Sequence, residues 1–217
     1  QGDTFRSAFY GCSSLTTIGN GVLLGTASSN VSFQNAFQSS GLTALPAGLN
    51  LSQGNKFQSA FHNCSSLTTI GNGVLLGTAN ATATVNFTSA FQSSGLTELP
   101  AGLNLSQGSV FASAFQSCSS LATIGSGVLL GTASSGVDFS YLFKNCGSLA
   151  ALPAGLDLST GDKFIGTFKS CGSLTTIGTG VLLGTASSGV DFTQTFRGCA
   201  NLVTLPANLN LSKGDDF

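Results

Sequence analysis

Apolar residues recur along the chain at i, i+3, i+4 and i+7, as in Phe5, Ala8, Phe9 and Cys12. That spacing predicts one apolar face of a short helix. A helix of about two turns does not persist alone in water, so neighbouring segments must hold it. Ser13-Ser14 then turns the chain. Leu15-Thr16-Thr17-Ile18 reads as a short extended segment, matched by Leu67 to Ile70 and Leu174 to Ile177. Gly19 and Gly21, or Pro46 and Gly48 in other copies, mark the next corner. Val22-Leu23-Leu24 or Leu49-Asn50-Leu51 follows, and a polar loop returns to the next Phe.

This unit repeats through the whole chain. Its first Phe falls at Phe5, Phe33, Phe57, Phe87, Phe111, Phe139, Phe164, Phe192 and Phe217. The intervals alternate between 28–30 and 24–25 residues, so the larger unit is a pair of about 53 residues, present four times. One unit cannot bury its own Phe and Leu side chains. Stacked units can, which is the physics of a solenoid. Composition never shifts along the series, so the chain reads as one domain over 1–217. Both ends stand at the same phase of the repeat without a polar cap, which suggests a segment of a longer array or stacking on further copies.

Composition narrows the classes. The 217 residues include 29 Gly, no Trp or Met, and Phe as 17 of the 19 aromatics. Charged residues are 7%, against roughly 25% in an ordinary soluble domain. Abundant Phe and Leu with so little charge argues against disorder. Four Pro and no Gly at every third position exclude collagen. No apolar run reaches the roughly 18 residues of a membrane span. Gln1-Gly2-Asp3 carries no signal-peptide pattern, and the chain reads as an excised piece. A net charge of −1 argues against a generic nucleic-acid binder.

At Ala8-Phe9-Tyr10-Gly11-Cys12-Ser13-Ser14-Leu15-Thr16-Thr17-Ile18 the sequence resembles the A-F-x-x-C-x-x-L-x-x-I leucine-rich repeats of BspA-type bacterial surface proteins. Asp138 to Leu149 is similar to a related M-F-x-x-C-x-S-L repeat family of mycoplasma and other bacterial surfaces, also phage-encoded. The resemblance covers essentially the whole chain. Two departures are Ala, Leu or Thr in place of Met, and Ser40 and Ser94 in place of Cys. The resemblance implies a leucine-rich-repeat-like fold and extracellular binding or adhesion at a cell or virion surface, without catalysis or a cofactor.

Six cysteines (Cys12, Cys64, Cys118, Cys146, Cys171 and Cys199) all stand seven residues after a repeat Phe. Stacked about 5 Å apart, they are within bridging distance. Parallel side chains in a ladder fit disulfide geometry poorly, so buried free thiols packing as small hydrophobes are expected. With no C-x-x-C and one His, no zinc site is expected. His62 lies in a polar register five residues after a repeat Phe, shared with Tyr10, Gln38, Gln92, Gln116, Lys144, Lys169 and Arg197. A surface His is expected there, and no nucleophile motif supports a catalytic triad.

Lys144, Lys169 and Arg197 occupy that register on three consecutive units. Such a stripe is either a solubilising surface or a site for an anionic partner, such as a lipopolysaccharide phosphate or an acidic glycan. In the register just before each Phe, Asp138, Lys163 and Asp191 alternate in sign, which predicts a salt-bridge ladder. Lys163 between the two carboxylates speaks against a glycosidase pair. The Thr positions of Leu-Thr-Thr-Ile suggest a Thr ladder of the ice-binding kind, interrupted at Ala44, Glu98, Ala122, Ala150, Ala151 and Val203. Seven N-x-[ST] sequons occur, at Asn30, Asn50, Asn63, Asn80, Asn86, Asn104 and Asn210.

The sequence therefore predicts a repeat solenoid. Its form is a leucine-rich-repeat-like, right-handed coil of short helices and short parallel strands, with eight rungs in four pairs. The expected function is non-enzymatic binding to a host or cell-surface receptor, an anionic glycan or a matrix protein. A phage tail-fibre segment, a structural spacer assembling end to end, and an ice-binding solenoid are the alternatives. Neither nucleic-acid binding nor membrane insertion is expected.

Overall fold

The computed structural model describes residues 4–22, 24–25, 29–79, 84–185 and 188–216. Phe217 and the sequon at Asn80 lie outside them. The chain forms a parallel β-solenoid. One continuous sheet joins eight short strands in chain order: Val31–Ser32, Gly54–Lys56, Val85–Asn86, Gly108–Val110, Val137–Asp138, Gly161–Lys163, Val190–Asp191 and Gly214–Asp216. Thr4 adds an isolated parallel bridge to Ser32. Each strand directly precedes a repeat Phe, so each turn of the coil returns the chain one rung on. The eight strands span about seven turns.

The expected short helices do not form, and the reason is local. The segment after each strand is two successive four-residue turns. In the first, Ala8 N–H donates to Phe5 O at 3.0 Å; in the second, Cys12 N–H donates to Phe9 O at 3.3 Å. The third residue of each turn has positive φ: Ser7 (55°) and Gly11 (69°), Asn35 (55°) and Ser39 (55°), Ser113 (60°) and Ser117 (59°). A type II turn requires φ > 0 there, and a helix forbids it. The intervening N–H groups point along the coil axis: those of Phe5, Ser7, Phe9 and Gly11 donate to Ser32, Gln34, Ala36 and Gln38 of the next rung. Two four-residue turns therefore place residues 1, 4, 5 and 8 inward, the same spacing as a helical face.

Those inward residues build the core. Phe33, Phe57, Phe87, Phe111, Phe139, Phe164 and Phe192 form one stacked file, and Phe37 to Phe196 a second. Ring centroids in the second file are 5.0–5.7 Å apart. Leu42, Leu67, Leu96, Leu121, Leu149 and Leu174 add a third buried file.

The far side of the coil pairs differently. Ala44–Leu45 pairs with Thr69–Ile70, and Asn50–Leu51 with Leu75–Leu76. The same two ladders recur at Glu98–Leu99/Thr123–Ile124 and Asn104–Leu105/Leu129–Leu130, then at Ala151–Leu152/Thr176–Ile177 and Asp157–Leu158/Leu182–Leu183. Each ladder joins a short repeat to the long repeat after it. The corner residue decides this. Gly71, Gly125 and Gly178 donate their N–H to Leu45, Leu99 and Leu152 of the preceding rung at 2.8–2.9 Å. Short repeats carry Pro46, Pro100 and Pro153 at that corner, and proline has no N–H to donate. Shallow clefts open there instead, as between Gly71–Asn72–Gly73 and Pro100–Ala101–Gly102 (about 90 Å³).

Candidate functional site: the turn face

In each turn segment, residues 2, 3, 6 and 7 look outward. Their sequence is Gln, Ser, Asn, Thr and Gly through most of the coil. Residue 6 forms the file from Tyr10 to Arg197. Tyr10 and Arg197 are exposed, and the residues between them are half-buried. Hydrogen bonds run between neighbouring rungs on this face. The Gln38 amide Nε2 lies 3.2 Å from His62 Nδ1, within hydrogen-bond distance. Partial burial holds that imidazole below its ordinary pKa of 6.5. Asn63 Nδ2 donates to Ser39 Oγ at 3.3 Å.

The structure brings Lys144, Lys169 and Arg197 onto three successive rungs. Ser117, Asn145 and Ser170 donate their N–H to the carbonyls of Lys144, Lys169 and Arg197, so the three occupy equivalent places in the ladder. The rings preceding them, Phe143, Phe168 and Phe196, stack at 5.7 and 5.3 Å. At about 5 Å in water, adjacent like charges repel by about 1 kcal/mol or less. Two of the cations have local partners. Lys144 Nζ lies 5.0 Å from the centroid of Tyr141, and Lys169 Nζ donates to Gln194 Oε1 at 2.7 Å. The Tyr141 ring lies across Gly166 of the next rung, where a Cβ would come within 2.9 Å of Cδ1 and Cε1. Glycine there makes room for the ring.

Charge is sorted between faces. Across the eight turn segments the charged residues are Arg6, Lys144, Lys169 and Arg197, with no Asp or Glu. Among the described residues the acids stand on the short strands, where several bond to the backbone. Asp138 and Asp191 accept a hydrogen bond at Oδ1 from the N–H of Ser140 (2.9 Å) and Thr193 (2.8 Å). Lys163 is the register partner of both. The expected salt-bridge ladder does not form. Among the described residues no ion pair joins the three, and each carboxylate instead caps its own turn.

The same turn explains four of the sequons. Asn50, Asn86, Asn104 and Asn210 each accept from the N–H two residues on at 2.9–3.0 Å, as Asp138, Asp157 and Asp191 do at 2.8–2.9 Å. An Asx turn followed by Ser or Thr spells N-x-[ST]. The Thr ladder also serves the backbone: Thr43, Thr68 and Thr97 donate Oγ1–H to Thr16, Thr43 and Thr68 carbonyls at 3.2–3.3 Å.

The cysteines form an inward file. Cys64, Cys118, Cys146 and Cys171 are buried, Cys199 is half-buried and Cys12 exposed; all six are free. Each inward thiol donates to a Phe carbonyl of the preceding rung, as Cys118 does to Phe91 (3.1 Å) and Cys171 to Phe143 (3.1 Å). Ser40 and Ser94, the two replacements, sit against Cys64 and Cys118 at 3.4 and 3.3 Å. Thr167 and Thr195 supply hydroxyls to Phe139 and Phe164 in a similar way. Burial pushes the Cys118 thiol up to about 11 and, with Cys199 nearby, the Cys171 thiol to about 12. Such thiols are protonated and unreactive at neutral pH. Among the described residues no three His, Cys, Asp or Glu side chains converge on a common point. A cleft of about 180 Å³ at the N-terminal end is apolar, lined by Phe9, Leu15, Ile18, Val22, Leu24 and Phe37.

No known protein family and no curated protein matches the sequence. Among solved structures the chain is similar to a leucine-rich repeat protein from Bacteroides ovatus ATCC 8483, at 18% identity and a TM-score of 0.37. The match covers 93% of this chain and 57% of that one, so the chain spans little more than half the length of its structural neighbour.

Proposed function

We propose that the chain is a non-enzymatic extracellular binding module that engages its partner through the turn face. The observation behind this reading is the division of labour between side chains. Thr hydroxyls, Asx carboxylates and thiols are committed to the backbone, while the outward residues of the turns repeat as an ordered polar array at one-rung spacing. Backbone hydrogen bonds along the axis hold that array rigid, so binding orders few side chains. The resemblance to BspA-type surface repeats belongs to this reading, as do the right-handed coil and the eight rungs in four pairs counted from the repeat. So does location at a cell or virion surface with a receptor, glycan or matrix protein as partner.

Immobilised glycans and matrix proteins test it. The intact chain is expected to be retained on at least one of them, and Gln92→Ala plus Gln116→Ala to weaken that retention. Thr69→Ala plus Thr123→Ala, on the far ladders, is expected to leave it unchanged. Loss of retention only in the far-ladder variant contradicts the proposal.

A further inference from the structure

We propose that the C-terminal part of the turn face, built from Lys144, Lys169 and Arg197 with Tyr141 and Gln194, binds a linear anionic polysaccharide. This rests on the binding-module reading above and names its ligand class. The first argument is the sorting of charge: this face carries four of the chain's seven cations and none of its eight acids. In a chain of net charge −1, a positive field is thus concentrated on this face, and three of its four cations are adjacent.

The second argument is shape. The three cations stand one per rung, in line with the coil axis, on a ladder whose rings repeat at 5.7 and 5.3 Å. Lys144 is held over Tyr141 of its own rung and Lys169 on Gln194 of the next, so the two ammonium groups are steadied by separate partners along the file. Such a file matches a ligand with charges spaced along its length. A bilayer is a poorer match, because the flanking outward residues Asn145, Ser170, Thr193 and Gln194 are polar, with Ile165 the one aliphatic side chain among them. Tyr141, half-buried and seated on Gly166, adds an aromatic edge beside the cations, and Gln194 and Asn145 add amides for hydroxyl groups.

The test uses a fluorescent sulfated heparin octasaccharide and its desulfated, N-acetylated counterpart, titrated by anisotropy at two salt concentrations. The intact chain is expected to bind the sulfated probe more tightly, with affinity falling as salt rises. Lys169→Gln plus Arg197→Gln is expected to lower affinity roughly tenfold. Lys163→Gln, on the sheet, is expected to leave it within about twofold. Tyr141→Asn keeps a residue tolerant of left-handed backbone and is expected to weaken both probes. An equal loss with Lys163→Gln overturns the proposal. So does an unchanged double variant, or tighter binding to phosphatidylserine vesicles or duplex DNA than to the octasaccharide. If the probe fails while Gln92 and Gln116 still govern retention on another partner, only the ligand class falls. If retention depends on the far ladders, the binding-face reading falls with it.

Discussion

The cysteine register shows how one side chain serves two purposes. Its sulfur fills the space beside the Phe files, and its proton satisfies a carbonyl that the parallel turns leave under-used. Serine replaces it at Ser40 and Ser94, each set against the thiol of the next rung, while Thr167 and Thr195, at the fourth position of their turn segments, add hydroxyls to Phe carbonyls in rungs that keep Cys. The thiols also set a pH limit. Burial keeps Cys118 and Cys171 protonated up to about 11 and 12 in the folded chain, whereas the unfolded chain releases these protons near 9.0. Above that value the unfolded state binds fewer protons, so stability is full below pH 9 and falls between pH 9 and about 12. Denaturant midpoints are expected to hold steady from about pH 7 to 8.5 and to decline above. Cys118→Ser plus Cys171→Ser is expected to flatten that decline, and an equally steep decline contradicts the assignment.

At the scale of the element, glycine and proline govern which rungs pair. Gly178 sits where a Cβ would lie 2.5 Å from the backbone nitrogen of Ala154. Gly102 has open space but a φ of 71°, and Gly147 has open space without that φ. Alanine is therefore expected to cost roughly 3 kcal/mol at Gly178, roughly 1 kcal/mol at Gly102 and within about 0.5 kcal/mol of nothing at Gly147. Urea unfolding of the three variants checks the order. Much of this element structure is legible in the sequence. The unit length, the extended Leu-Thr-Thr-Ile segment and the Gly or Pro corners all follow from the repeat. The turn pair is not, because two four-residue turns imitate the apolar spacing of a helix. The signal that separates them is Ser, Asn or Gly at the third and seventh positions of nearly every segment, with Tyr141 and Gln194 departing. The alternation of Gly71 with Pro100 likewise carries the pairing pattern, but only the geometry shows that the missing N–H breaks the ladder.

Across the whole molecule, the coil converts a one-dimensional pattern into files. Each rung meets its neighbours above and below, so a mid-coil truncation is felt on both sides. Phe115→Ala removes a ring stacked on Phe91 and Phe143 and is expected to cost roughly 3–5 kcal/mol. Phe196→Ala, half-buried and stacked on Phe168 at the far end, is expected to cost less. The cationic file is visible in the sequence because a repeat fixes register. What the structure adds is the commitment of Asp138, Asp157 and Asp191 to Asx turns on the strands. All of this depends on the turn segments being left-handed turns that hold a polar face outward. The pair Ser113→Gly and Ser113→Ala tests that claim most directly, because Ser113 has a φ of 60°. Denaturant unfolding is predicted to show Gly at least as stable as Ser, and Ala less stable than Gly by about 1 kcal/mol. In a helix the order reverses, so an alanine variant more stable than the glycine variant contradicts the account.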